Sequence, residues 1–460
     1  MDTAEGQKKA VLAFRKGFKS APWVPISKMQ AQSFRERPLK GSVLVSKVEI
    51  PRPDADEGEA LRNKLWDLYN AKSEGVEKLD PPAPCASYTG EWIGVRKDVK
   101  DPNAPQPDMN AQEVFDAIQQ NSTSDVTLFY LSGGAWFRAG PPGSRPLTKY
   151  LSEHTGSRVF TFQYRLVPQF TLPTLVLDVL VAYFYLLSPP PGSFHKPVDP
   201  KKLILVGESG GAILHLHLLQ FLQSLLRSTG ASGSRTPTIR FNNRDIPIVV
   251  PKACAFISPG SDLALSLPSV KKFQAFEWLS EGAPWLQPKF PADSIWPANP
   301  PRGDLHCDNS ALCHPLVDPS TWTDWEGLPP IWIAAGEETY ADGIKFLAKN
   351  IWKSGVPITF VQYENMPHVW NVVMPFLPQS RHVMKSWAGA CRELGAWAPE
   401  GNARKSAAYF VKLGKLHMVP IAFEGLVELP DDEILRKMRA ARDELAKFVW
   451  KGPETGYAKL

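Results

Sequence analysis

One short motif has the residue types of a nucleophilic turn. Residues 207–211 read Gly-Glu-Ser-Gly-Gly, between the apolar run KLILV and the stretch AILHLHLLQFLQSLL. A serine at a sharp strand-to-helix turn is held in a strained backbone conformation, and the flanking glycines avoid collisions with neighbouring elements. The pentapeptide alone also fits an incidental turn. Its position between a strand and a helix favours Ser209 as a nucleophile at the carboxyl edge of a sheet.

A serine nucleophile needs a base, and one of the nine histidines stands in a suitable place. His368 lies in VQYENMPHVW, on a predicted loop after a predicted strand. An imidazole on such a loop can reach over the edge of the sheet. His215 and His217 lie on the predicted helix after Ser209, where packing is the simpler interpretation. His368 is therefore the predicted base.

The acid that would orient this imidazole is expected in the sequence Gly336-Glu337-Glu338, directly after the apolar strand IWIAA. Either Glu337 or Glu338 could accept the imidazole N–H, and Asp342 lies one turn further on. A solvated helix start is an equally simple interpretation of each acid alone. The resulting chain order, serine then acid then histidine, is the order of α/β-hydrolases.

A third requirement of acyl chemistry is a set of N–H groups aimed at the developing oxyanion. The segment LFYLSGGAWFRAG places Gly133 and Gly134 directly after an apolar strand and upstream of Ser209. A plain tight turn would look the same in isolation. Together with Ser209 and His368 in the expected order, the glycine pair is interpreted as part of an oxyanion hole.

The elements that must position these residues alternate along the chain. Short β-type runs are separated by helical stretches, which predicts an α/β protein with a mostly parallel sheet. The runs begin at Val126, Arg158, Lys202, Lys252, Ile331 and Ile358. Several are continuously apolar, as expected for strands buried on both faces.

Composition excludes several classes of protein. The net charge is +5, with basic and acidic residues interspersed, which is too mild to argue for nucleic-acid binding. Five scattered cysteines, an odd number, favour a reducing compartment over a disulfide framework. The charged N-terminus lacks a secretory h-region, and the longest apolar run, Val179–Leu187, is far shorter than the roughly 20 residues that span a bilayer. A cytoplasmic protein without an integral membrane segment is therefore expected.

No cofactor or metal is predicted. The pairs His306-Cys307 and Cys313-His314 lack the paired C-x₂₋₄-C spacing that is usual in structural zinc sites. Neither a phosphate loop nor a dinucleotide fingerprint is present in the sequence.

From about Asp125 to Trp397 the chain resembles the hormone-sensitive-lipase-like branch of the α/β-hydrolase fold, particularly its fungal esterase-type members. The matching segments occur in the family's order: SGGAW, FQYRLVPQFTLP, GESGG, ISPGSDL, GLPPIWIAAGEETYAD and ENMPHVW. The resemblance implies that Glu338 is the triad acid and that Asp342 is the structural acidic position that follows it. It also implies that the amides of Gly133, Gly134 and Gly210 form the oxyanion hole.

The chain departs from the family at the oxyanion loop. Ser132 stands where the family has histidine, and Ala135 replaces the third glycine of the loop. These departures indicate that other hydrogen bonds orient the loop. Gly210 also replaces an alanine at the fourth position of the GESGG motif.

The resemblance also divides the chain. It implies an α/β-hydrolase core at residues 111–261 and 326–398, covered by a helical cap. An N-terminal segment, 1–110, and an insertion, 262–325, would form this cap, and 399–460 would be a C-terminal extension. Proline and tryptophan are abundant, with 44 and 15 residues. Eight of the tryptophans fall in the predicted cap segments, which predicts an aromatic lid: Trp23, Trp66, Trp92, Trp278, Trp285, Trp296, Trp322 and Trp325.

Three functions are compatible with these residues. The first is cofactor-independent hydrolysis of a carboxylic ester of a hydrophobic small molecule. The second is condensation, cyclisation or acyl transfer on a polyketide- or peptide-derived intermediate in fungal secondary metabolism, with the same site. The third is a non-catalytic ligand receptor, which the complete triad disfavours. The oligomeric state is left open, with a homodimer as one candidate.

Overall fold

A computed structural model describes residues 3–20, 23–138, 140–228, 236–279, 286, 290–398, 404–448 and 450. These residues build one ten-stranded sheet and a separate two-stranded hairpin. In chain order the strands are β1 (Val43–Ile50), β2 (Tyr88–Val95), β3 (Thr127–Leu131), β4 (Arg158–Phe162), β5 (Leu203–Glu208), β6 (Thr238–Phe241), β7 (Arg244–Pro247), β8 (Ala253–Ile257), β9 (Ile331–Gly336), β10 (Ile358–Tyr363), β11 (Ala407–Val411) and β12 (Met418–Ile421).

The order across the large sheet is β1-β2-β4-β3-β5-β8-β9-β10-β11-β12. The seven strands from β4 to β11 in that order run parallel to one another. β1, β2 and β12 pair antiparallel at the two margins. The predicted α/β-hydrolase architecture, with a mostly parallel sheet, is confirmed. Because β5, β8, β9 and β10 are adjacent, the loops after their carboxyl ends meet at one edge.

Helices cover both faces of this sheet. They are α1 (Ala4–Ser20), α2 (Ile26–Ser33), α3 (Ala55–Lys72), α4 (Ala111–Asn121), α5 (Pro141–Thr155), α6 (Leu172–Leu187), α7 (Gly210–Ser228), α8 (Ser269–Lys272), α9 (Ala341–Lys353), α10 (Trp370–Val373), α11 (Pro378–Ala396) and α12 (Asp431–Leu445). Every residue of α6 is buried, and α7 is buried through its first fourteen residues. Helices that are apolar on all sides form the interior of a large protein, so α6 and α7 give the sheet a thick apolar support.

The first 110 residues differ from the predicted cap segment. β1 and β2 pair with each other, and β2 pairs with β4, so both belong to the central sheet. α3, which lies between them in sequence, packs on α6 and α7. Two parts of this region contact the insertion: α1 packs against Gln274–Phe276, and Tyr69 of α3 donates to the carbonyl of Leu316 at 2.8 Å. β1 and β2 pair with each other although α3 lies between them in the sequence. The order of the short β-type runs along the chain therefore does not reveal this pairing.

The C-terminal extension also enters the sheet. β11 pairs parallel with β10, and β12 pairs antiparallel with β11. α12 packs against the turn Asn309–Ala311 in the insertion. The extension therefore both widens the sheet and holds the predicted cap from the side.

No helix in the described ranges combines the length and apolar character needed to cross a membrane. The insertion 262–325 is described only in part, and Trp285 of the predicted aromatic lid lies outside the described residues.

Candidate active site

Ser209 occupies the turn between β5 and α7. Its φ is 51°, in the left-handed region that a residue with a side chain rarely adopts. Its N–H donates to the carbonyl of Ile257 at 3.0 Å, which ties the turn to the end of β8. A Cβ on Gly211 would lie 2.1 Å from the carbonyl oxygen of Leu131, so the chain can pass this point only as glycine. Strain and close packing together present the serine hydroxyl at the edge of the sheet.

His368 lies between Ser209 and Glu338. Its Nε2 is 2.8 Å from Ser209 Oγ, and its Nδ1 is 2.7 Å from Glu338 Oε1. An ionised carboxylate can only accept, so Nδ1 carries the proton and Nε2 accepts from the serine hydroxyl. This is the arrangement in which imidazole can remove the serine proton.

Glu338, two residues beyond β9, is completely buried. Its Oε2 accepts from Ser258 Oγ at 2.6 Å and from the N–H of Gly336 at 3.0 Å. Glu337 instead accepts from the N–H of Asn365 at 2.9 Å. The sequence alone leaves Glu337 and Glu338 as alternatives for the acid that orients the imidazole. The structure brings Glu338 to the imidazole. No sequence motif assigns this role to Ser258, in the ISPGSDL segment.

Asp342 makes different contacts from Glu338. It lies in the first turn of α9, and its Oδ2 accepts from the N–H of Ser269 at 2.9 Å. Ser269 begins α8 in the insertion. Asp342 therefore connects the helix after Glu338 to the predicted cap.

Glu277 is a second buried carboxylate beside His368, and no sequence motif identifies it. It accepts N–H groups from Trp278 at 2.8 Å and Thr339 at 2.9 Å, and its oxygens lie 3.3 and 3.4 Å from the main-chain nitrogen of His368. Trp278 Nε1 in turn donates to the carbonyl of His368 at 2.8 Å. The insertion thus holds both main-chain polar groups of the histidine.

Two opposing effects act on the imidazole of His368. Burial lowers its pKa, whereas the carboxylates of Glu338, Glu277 and Glu208 raise it, and the net result is a raised pKa. Burial also raises the pKa of Glu277, because its negative charge is removed from water. The site is therefore built to stabilise the imidazolium that would form after proton transfer.

The amide of Gly133, predicted to face the oxyanion, instead has a partner within the protein. Its N–H donates to Glu208 Oε1 at 3.0 Å, while Tyr130 donates to the other oxygen at 2.7 Å. Burial raises the pKa of Glu208 to about 7, and these donors oppose that rise. The amide of Gly133 is therefore occupied. The glycine is needed for space, since a Cβ there would lie 2.8 Å from Ser209 Cβ.

Gly134 and Gly210 keep amides that can face a substrate. Among the described residues the N–H of Gly134 has no acceptor, and Gly210 begins α7, where first-turn N–H groups have no partner inside the helix. Trp136 Nε1 donates to the carbonyl of Gly210 at 2.8 Å, which fastens the loop to the turn. A Cβ on Gly210 would lie 2.6 Å from that nitrogen, which explains why glycine replaces the family's alanine.

Fold and site geometry together define an α/β-hydrolase. A family profile described as alpha/beta hydrolase fold matches residues 128–372, more than half of the chain. The chain belongs to this family.

Two relatives are each similar over more than half of the chain. An acetyl-hydrolase of Streptomyces hygroscopicus is 30% identical over 260 residues, which cover 56% of this chain and 73% of the relative. A putative acetyl-hydrolase of Mycobacterium tuberculosis is 24% identical over 262 residues, covering 57% and 71%. They support the prediction of a serine-esterase-like enzyme.

Solved structures agree at the level of fold. An esterase from the bacterial hormone-sensitive lipase family superposes with a TM-score of 0.54 at 18% identity, covering 86% of this chain and 100% of that one. A hormone-sensitive lipase from a metagenome library also gives a TM-score of 0.54 at 18% identity, with 85% and 98% covered. The predicted resemblance to this branch is confirmed, whereas its fungal subtype stays a prediction.

Proposed function

We propose that the protein hydrolyses carboxylic esters of hydrophobic small molecules with Ser209, His368 and Glu338 as its triad. The observation that carries this proposal is the continuous chain of hydrogen bonds from Ser209 Oγ through His368 to Glu338 Oε1, at 2.8 and 2.7 Å. The names of the two acetyl-hydrolase relatives support ester cleavage.

In this proposal each residue has one step. His368 Nε2 takes the serine proton as Ser209 Oγ attacks the ester carbonyl, and Glu338 keeps the imidazole in the reactive tautomer. The amides of Gly134 and Gly210 stabilise the negative charge on the tetrahedral intermediate. His368 then returns the proton to the leaving alcohol. Water, activated by the same base, releases the acid from the acyl-enzyme.

An apolar substrate is supported by the aromatic rings around the histidine. Tyr340 packs edge-on against the imidazole with centroids 5.1 Å apart, and Trp278 lies on its main chain. Phe14 of α1 contacts Trp278 edge-on at 6.1 Å. A ligand that reaches Ser209 beside these rings would exchange water for apolar surface, which favours apolar acyl or alcohol groups.

The decisive test is turnover of p-nitrophenyl butyrate by wild type and by Ser209→Ala. We expect the variant to lose at least about 10³-fold in kcat, because the nucleophile is gone. Ser124→Ala, a serine in the loop before β3, is the matched control and should keep wild-type activity. Full activity in Ser209→Ala would refute the assignment.

The biosynthetic alternative uses the same residues, and substrate range separates it from ester hydrolysis. A condensing or acyl-transferring enzyme would turn over simple p-nitrophenyl esters poorly and convert one specific polyketide- or peptide-type compound. Brisk turnover of acetyl, butyryl and hexanoyl esters would argue against that alternative.

A further inference from the structure

His306 in the insertion contacts the loop that carries the proposed oxyanion donors. Its Nε2 lies 3.1 Å from the carbonyl oxygen of Ala135, although 171 residues separate the two. Its ring also packs edge-on against Trp136 with centroids 4.6 Å apart. One side chain of the insertion therefore holds two consecutive residues of the loop.

The direction of this hydrogen bond follows from the acceptor. A carbonyl can only accept, so Nε2 of His306 carries the proton. Burial lowers the pKa of His306 to about 3, so the ring is neutral under physiological conditions. Its main chain is fixed as well, because its N–H donates to Asp304 at 2.6 Å and its carbonyl accepts from Leu172 at 3.1 Å. The donor is thus presented from a firmly held segment.

The loop needs such support because its backbone is unfavourable. Gly134 has a φ of 93°, and Ala135 and Trp136 follow with φ of 48° and 54°. Two non-glycine residues in the left-handed region persist only where the surroundings hold them. The carbonyl of Ala135 belongs to the Ala135–Trp136 peptide group, and one further peptide group, Gly134–Ala135, separates it from the group that carries the Gly134 N–H. A donor at this carbonyl therefore holds the loop close to the proposed oxyanion amide and limits its rotation.

We propose that His306 is a positioning residue for the oxyanion hole, replacing from the insertion the histidine that the loop lacks at Ser132. The inference rests on the proposed hydrolytic function. It makes the insertion part of the machinery that stabilises the transition state, through Ala135 and Trp136, as well as a cover over the site.

The test compares His306→Leu, which removes the donor, with His306→Gln, whose amide N–H can replace it. We expect His306→Leu to lower kcat for p-nitrophenyl butyrate by about 10- to 100-fold with KM within about twofold, because an oxyanion donor is displaced and not lost. Affinity for a trifluoromethyl ketone, which binds as a tetrahedral oxyanion, should fall by a similar factor. His306→Gln should recover most of both.

His314 provides a matched control. It is buried in the same insertion, and its Nε2 makes the same kind of bond, 3.0 Å from the carbonyl of Tyr69, away from the oxyanion loop. His314→Leu should lower thermal stability while keeping wild-type kcat in the folded protein. Equal losses of kcat in both leucine variants, or unchanged kcat in His306→Leu, would overturn the proposal.

A further readout keeps this inference separate from ester hydrolysis itself. Labelling of Ser209 by a fluorophosphonate also places negative charge in the oxyanion hole, yet it needs no ester turnover. If wild type cleaves no ester, slower labelling of His306→Leu with recovery in His306→Gln still supports the positioning role. Identical labelling rates in all three proteins would refute it.

Discussion

His368 lies between two buried carboxylates, and each contacts a different atom of this histidine. Glu338 contacts the ring at Nδ1, whereas Glu277 lies against the main-chain nitrogen. Both negative charges favour the protonated ring, in an interior where charge interactions are stronger than in water. The charged and titratable neighbours of the imidazole are Glu338, Glu277, Glu208 and Tyr340. The pH dependence of the enzyme therefore reports on all of them.

Replacing Glu277 with glutamine should move the acid limb of kcat/KM toward lower pH. Hydrolysis requires neutral His368, so activity is lost as pH falls through its pKa. Removing the Glu277 charge destabilises the imidazolium and lowers that pKa, so activity persists further into the acid range. We expect the plateau kcat to fall only about 3- to 10-fold, since Glu277 acts through His368. A pH profile from pH 4 to 9 measures both effects.

Glu337→Gln is the control for this prediction. Glu337 is adjacent to Glu338 in the sequence, but its carboxylate accepts from the N–H of Asn365. The acid limb of kcat/KM for Glu337→Gln should match that of wild type. An unshifted limb in Glu277→Gln, or an equal shift in both variants, would contradict the electrostatic role of Glu277.

The proposed triad could be located from sequence because each member follows an apolar strand in a recognisable segment. Glu277 and His306 could not, since neither follows a strand or belongs to a motif. They reach their partners across 91 and 171 residues, through folding of the insertion onto the core. The occupied amide of Gly133 was equally hidden, because it depends on where the buried Glu208 side chain points.

At the scale of elements, the junction of β5 and α7 is fixed by contacts to the end of β3. A Cβ on Gly211 would meet the Leu131 carbonyl at 2.1 Å, and one on Gly207 would meet the same oxygen at 2.9 Å. These are backbone atoms of a buried strand, which cannot move aside cheaply. The sharp turn that presents Ser209 thus depends on small residues on both sides of it.

Gly211→Ala should destabilise the fold by about 2 kcal/mol or more, because the added methyl group overpacks against a backbone oxygen. Gly143→Ala is the matched control: it also lies in the first turn of a helix, α5, and a Cβ there meets nothing within 4 Å. That variant should be neutral or slightly stabilising. Urea unfolding of both proteins measures the difference, and equal midpoints would contradict this account.

The central strands were predictable as continuous apolar runs, whereas the marginal strands were not. β1 is exposed or half-buried at several positions, and its partner β2 follows only after α3. β11 and β12 are short and only partly buried. Pairing at the margins is decided by tertiary contacts more than by local composition, which is why the predicted domain limits at 110 and 399 do not coincide with the limits of the sheet.

The C-terminal extension joins distant parts of the chain. Arg442 of α12 is buried and bonds to Glu74 at 3.1 Å, while Asn309 donates to the carbonyl of Leu445 at 2.7 Å. Asp431 accepts from Lys349 of α9 at 2.8 Å. The extension therefore contacts the sheet, the insertion and the segment after α3.

Ending the chain at Ala398 should produce a less stable protein that self-associates. The truncation exposes the ladder groups of β10, and exposed strand edges pair with other chains. We expect the thermal midpoint to fall by about 5 °C or more and light scattering to report larger species. A monomeric truncation with an unchanged midpoint would contradict this role.

The pairing of β11 with β10 also sets an order of events during synthesis. The ribosome makes β10 and His368 before it makes the strand that protects their edge, and α12, which bonds to Glu74, comes later still. Domains generally begin to fold from their N-terminal side as they emerge. A nascent chain therefore holds all three proposed triad residues while its sheet is still open at one margin. Esterase activity should therefore appear only after β11 has left the ribosome and paired with β10.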